Sequence, residues 1–460
     1  MTLAERLAPG SSKAGLLERR LVQRITLGAT QAGVARAGAL GYQGYLQEQL
    51  APEALDDSLL EQEIARTLPS VAMSAAAIHA GYSDRFQVPI YELIIATLLR
   101  ATLSPRQLFE SLVAFWTDHF NIDVLGEYGW YLKPVDDREV IRRHAMGRFP
   151  DLLRASAKSP AMVFYLTNDT NHKDHPNENY ARELMELHTL GADNGYTQED
   201  VREVARCFTG WTWVREGDSR GTFRFDAASH DTGQKVVLGR VIPAGGGVED
   251  GEAVLALLAA HPNTARTLSR KLLRWFWGYE PPHGYVDQVA AVYLRTGGNI
   301  RRMLRTIFTP AWMESATPKL KRPFHLAVSA LRALGAEITD PYALLGELQA
   351  MGQLPFTWSP PNGYPDTRAY WSGLLLPRWS FAARVVGEAG SGVRIDLSDL
   401  PPGLSPSALV RQIDRKVANG TLSEPTREAI RTFLRSGPRT PARIREAVGL
   451  ALASPEFQDY

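Results

Sequence analysis

Apolar residues recur every three to four positions over most of the chain. The sequence therefore predicts a mainly α protein, a multi-helical globular body with a small β-hairpin insertion around 209–240. Leu16, Leu17, Leu21 and Ile25 keep helical spacing, and Thr30 stands where it can cap a segment 31–39. Gly41 separates that segment from an amphipathic turn over 42–50. Residues 53–84 are polar and Ala-rich, with a helix over 58–66, and read as a lid or arm over the main body. A buried helix is expected over 89–101, and Ser104-Pro105 restarts the chain into a second helix that ends at His119-Phe120. Residues 121–134 read as a loop, followed by short helices after Asp137, Pro150 and Ser159-Pro160.

Residues 168–176 form a polar loop without a hydrophobic anchor. Thr197 and Asp200 have the spacing of a capping box for a helix running through Val201, Val204 and Phe208. The period then drops to two. Trp211-Thr-Trp-Val and Thr222-Phe-Arg-Phe alternate across a Gly-containing turn, a hairpin signal, and 236–239 adds a short strand. Helical spacing returns over 250–260, 262–277, 285–296, 299–308, 324–334, 370–388 and 405–454. Between them, 353–368 is a Pro-rich loop with too many aromatics for a free linker. The pattern divides into an N-terminal arm (1–84), a main domain (85–388) and a C-terminal helical subdomain (389–460), or runs through as one domain.

Composition narrows the function classes. Across 460 residues, 51 Lys+Arg against 50 Asp+Glu leaves no basic surplus, which argues against a nucleic-acid partner. The single cysteine, Cys207, lies in an apolar helical pattern and reads as a core residue, with no disulfide framework. No apolar stretch is long enough to span a bilayer, and the N-terminus lacks the apolar region of a secretory signal, so a cytoplasmic location is expected. The flexible run Gly245-Gly246-Gly247 is not a phosphate loop, since no Lys-Ser/Thr follows it, and no dinucleotide, zincin or Gly-x-Ser-x-Gly motif occurs.

The candidate chemistry gathers in Asn177–Gly191, a helix with an acid in its first turn. Helical spacing puts Asn179, Glu183 and Glu186 on one stripe and Glu178, Arg182 and Glu186 on the next. His188 falls toward the apolar side, beside Leu184, and is set aside. Two nearby carboxylates suit acid–base work, and with His119 and His230 arriving from elsewhere they would suit a divalent metal ion. The same charges also fit a solvated ladder of ion pairs. His119, among Phe115, Trp116 and Phe120, is either a hydrogen-bonded core residue or a ligand. His230, Asp231 and Lys235 lie in a turn after the hairpin, where Asp231 either caps its own backbone or serves a site. His172 and His175, an H-x-x-H pair in a polar loop, read as surface residues, and Trp358 in the Pro-rich loop is placed to line a groove.

Several segments together resemble a large bacterial family, domain of unknown function 1800: 21–30, Phe115-Trp-Thr-Asp-His-Phe-Asn121, Asn177–Leu184, Tyr196–Val201, Thr209-Gly-Trp211, His230–Lys235, His261-Pro262 and Gly363-Tyr-Pro-Asp366. They run nearly end to end in order. The resemblance implies no settled activity, and it implies export for many members. Two expectations stand. One is an enzyme whose catalytic groups are Glu183, Glu186, Arg182, His119, His230, Asp231 and Lys235, acting on a small molecule, peptide or glycan; Glu183, Glu186, His119 and His230 are its metal-ligand set. The other is a binding or scaffold protein in which those residues form a structural network.

Overall fold

The computed structural model describes residues 13–387 and 390–460, and within them the chain is mainly α with three two-stranded antiparallel sheets. Local sequence signals hold at most boundaries. Thr30 Oγ1 accepts from Gly33 N at 3.0 Å to open the helix Gln31–Gln49, and Gly41, at φ 69°, breaks it where expected. Thr197 and Asp200 form a reciprocal capping box on the helix Gln198–Cys207. The hairpin pairs Trp211↔Phe225, Thr212↔Arg224 and Trp213↔Phe223, and a second ribbon joins Lys235–Val237 to Arg240–Ile242.

Two large apolar cores organise these elements. The first collects residues from Leu21 to Ala316, including Trp116, Phe149, Tyr180, Phe208 and Trp211. The second is built from the helices Ser58–Thr67 and Gln87–Leu103 together with residues from Phe324 to Phe457. The segment 53–84 is therefore no lid: Ile64, Leu68 and Val71 belong to the second core, and Ala75, Ile78 and Tyr82 to the first. The helices after 389 share the second core with Pro323–Leu334 and Leu375–Gly387, and Val393, Ile395 and Leu400 from the expected joint are buried within it. No helix among the described residues is long and apolar enough to cross a membrane.

Two helices depart from the periodicity. Residues expected as loop form the helix Gly129–Asp136, which continues as a π-helix, Asp137–Arg142. Pro134 removes one ladder hydrogen bond, yet burial of Tyr131 and Leu132 in the first core outweighs it. The expected single helix over 177–190 is a short α-helix, Asn179–Glu183, followed by a π-helix, Leu184–His188. A π turn adds about one residue per turn, yet Arg182 still lies within reach of Glu178 and Glu186, and His188 stays buried beside Leu184.

Candidate functional site

The polar loop 168–176 positions the short helix. It has an anchor after all, made of buried asparagines rather than apolar side chains. Asn168 donates to Phe208 O and Trp211 O, and Asn171 donates to Ala205 O while its own oxygen accepts from Asn177 N at 2.8 Å. Asn177 Oδ1 then accepts from Asn179 N, starting the helix, and its amide reaches Thr167 and Thr170. Asn179 donates to Leu166 O at 3.2 Å. These bonds hold Thr167 at φ 56°, a left-handed conformation that costs a β-branched residue energy and that only over-determined surroundings retain.

On the helix, Arg182 bonds Glu178 at 3.0 Å and lies 3.8 Å from Glu186; Glu178 also accepts from Gln198 and pairs with Arg202. The ladder of ion pairs is real. Glu183 stands outside it. Its carboxylate has no hydrogen bond or ion pair among the described residues, it is half-buried, and burial together with the neighbouring Glu186 raises its pKa. Burial, then the Asp123 charge, pushes the Tyr165 phenol up to about 12, and Glu183 adds to the rise. The Tyr165 hydroxyl donates to Ser359 O. Asn121 donates to Trp358 O at 2.7 Å and Pro360 O at 2.9 Å, and Ser359 donates to Asp123. The Pro-rich loop is thus tied down to Asn121, Asp123 and Tyr165. Gly363, at φ 71°, packs against the Asp118 backbone, where a Cβ would sit 2.3 Å from Asp118 O.

His119 does not reach this face as a ligand. It is buried, with Nε2 donating to His188 O at 3.2 Å and Nδ1 accepting from Lys271 Nζ at 3.2 Å. Lys271 also donates to Leu187 O, at the end of the π turn, and no carboxylate pairs with it among the described residues. Burial brings its pKa down to about 8. Burial, then Lys271, lowers His188 to about 3, and its Nε2 has no partner. Helical spacing puts His188 on the apolar side beside Leu184, and there it lies, 1 % exposed and against His119. Lys271 escapes sequence reasoning because one lysine on an amphipathic helix carries no spacing signal.

His230, Asp231 and Lys235 form a separate and fully partnered cluster. Lys235, wholly buried, donates to Asp250 at 2.6 Å and to Asp231 O. His230 lies 2.8 Å from Thr209 O and 3.3 Å from Asp250. Asp231 accepts from Gly233 N in the expected Asx turn and from Arg206 at 2.7 Å. Gly210, at φ 77°, lets the strand end approach Asp226 O, where a Cβ would come within 2.4 Å. The expected convergence is therefore corrected. Glu183, Glu186 and Arg182 share one face, His119 lies in the core, and His230, Asp231 and Lys235 bind one another and Asp250. No direct hydrogen bond or ion pair joins the three groups among the described residues.

No group of three or more His, Cys, Asp or Glu among the described residues is placed to hold a metal ion, because each expected ligand is turned to a different set of neighbours. His172 and Asp174 are 3.4 Å apart on the surface, and Cys207 is buried with its thiol pKa raised to about 12, which makes it inert. No curated protein and no solved structure matches the chain. The family model described as "Protein of unknown function (DUF1800)" matches residues 20–459, and the chain belongs to that family.

Proposed function

We propose that the protein is an enzyme in which Glu183 exchanges a proton with a small-molecule, peptide or glycan substrate. The observation that supports this is the state of one carboxyl group: Glu183 is half-buried, unpartnered and raised in pKa, while Glu178, Arg182 and Glu186 around it are paired. A carboxyl whose pKa is pushed toward the working pH serves as a general acid or base. Tyr165 is near enough to feel the Glu183 charge. Arg182 and Glu186 set its field. The acid–base form of the chemistry fits better than a metal-dependent one, since Glu183, Glu186, His119 and His230 do not gather as ligands. The scaffold reading applies to the 230–235 segment, whose polar groups are consumed by one another.

The test pairs titration with turnover. Carbon-detected NMR of the Glu183 carboxyl is expected to give a midpoint above the ordinary glutamate value. Across chromogenic esters, glycosides and peptides, turnover is expected to fall about 100-fold or more in Glu183→Gln, with an unchanged melting temperature. An ordinary titration and equal turnover in the variant overturn the proposal.

A further inference from the structure

A second feature lies between the two cores, where residues 317–325 cross from one to the other. A cavity of about 20 Å³ there is walled by Arg24, Ser111, Arg322, His325, Asp366 and Tyr460, among others. A neighbouring cavity of about 50 Å³ shares Arg322, Phe324 and Gln353. Arg322, Phe324 and His325 contribute to the wall, and Pro323 opens the helix Pro323–Leu334, so the positive end of its dipole lies close by.

The cations around this cavity outnumber their ion-pair partners. Asp118 is taken by Arg322 at 2.6 Å and Asp366 by Lys319 at 2.8 Å; Asp459 pairs with Arg368 through one oxygen at 2.7 Å, and its field also reaches Arg24 and Lys321 without a hydrogen bond to either. Arg24 and Lys321 are left with backbone oxygens as their hydrogen-bond acceptors, Thr317 O and Phe457 O, both at 2.6 Å. Arg24 is 5 % exposed, and its Nη1 has no partner although it is buried at the cavity. His325 Nε2 is likewise buried without a partner. Burial, and then Lys321, Arg322, Lys319 and Arg24, hold the His325 imidazole far below the ordinary histidine range, so it stands neutral. Burial also lowers Lys321 to about 7 and Arg24 to about 10.

A water molecule fits such a space and would satisfy a donor, but it leaves the buried Arg24 guanidinium without an ion-pair partner, which is costly in a low-dielectric interior. A bound anion removes that cost and accepts from the spare donors in charge-assisted bonds. We infer that this junction is a binding site for a small oxyanion, a phosphate, sulfate or carboxylate group, held between Arg24 and Arg322 with His325 beside them. The site is independent of the Glu183 face, and because it joins the two cores its occupancy couples them.

Inorganic phosphate and sulfate, titrated into the full chain against chloride at matched ionic strength, test it. Both are expected to raise the melting temperature saturably, and calorimetry is expected to show one site. Arg24→Gln is expected to weaken binding about tenfold or more, the scale of one charge-assisted hydrogen bond, and His325→Phe to weaken it less. A selenate-soaked crystal, which needs no variant, is expected to show an anomalous peak beside Arg24 Nη1. A melting temperature that follows ionic strength alone, binding indifferent to both substitutions, or a selenate peak elsewhere and none in the cavity overturns the inference.

Discussion

The helix face around Glu183 and the cluster around Lys235 look alike in sequence, each a few carboxylates and cations close together. The fold treats them oppositely. At Lys235 a buried ammonium, Asp250, His230, Thr209 and the Asp231 turn use up each other's hydrogen-bonding capacity. At Glu183 the neighbours pair among themselves and leave one carboxyl over. The lesson is that a polar motif becomes a candidate site by what remains unpartnered after folding, not by how many charges it contains. Partnered buried charge stabilises position; unpartnered half-buried charge is available for chemistry.

Substitutions that remove one partner at each place sharpen this contrast. The largest expected effect is at the buried cluster. Lys235→Met leaves Asp250 without its ammonium and should lower unfolding free energy by about 3–5 kcal/mol in urea melts. A loss under roughly 1 kcal/mol, the range of exposed pairs, would break the contrast.

Next comes Lys271, whose amine is buried without a carboxylate. Its folded pKa of about 8 lies below the unfolded 10.5. Between those values the unfolded chain binds the extra proton, so stability conferred by this group rises with pH from about 8 to 10.5 and is lost as pH falls through 8. At about 1.4 kcal/mol per pKa unit the swing is on the order of 3 kcal/mol. Subtracting the Lys271→Met melt series from that of the parent should expose it; a difference flat across that window sinks the assignment.

Arg182→Ala, on the exposed ladder, should cost only about 0.2–1 kcal/mol and less at high salt. Glu183→Gln should change stability least, within about 0.5 kcal/mol, and any shift should be toward stability, since a neutral amide replaces an unpaired, partly buried charge. A substantial loss of stability there would mean that Glu183 has structural work, and the two regions would no longer differ.

Much of the fold was legible. The Thr30 cap, the Gly41 break and the Thr197–Asp200 capping box are local devices whose residues sit within a few positions of one another, and the Trp211/Phe225 hairpin joins neighbouring alternating stretches. The site was half legible. Glu183 stood out from spacing, His188 lies on the apolar side where spacing put it, and the Asx turn at Asp231 was readable, but nothing local announces the π turn over 184–188. Asp250 and Lys271, which decide what His230 and His119 do, lie 20 and 152 residues away from them along the chain. Pairings over such separations leave no periodic trace.

By itself, the sequence determined the helical class, the caps, the hairpin and the family, because these follow from short-range propensity and from motifs read in order. Only the tertiary structure decided which polar groups meet. Burial assigns a desolvation cost to every charge, and whether a partner arrives to offset it depends on segments from 15 to 152 residues away along the chain. Lys235 found Asp250, Lys271 found only an imidazole and a carbonyl, and Glu183 found nothing.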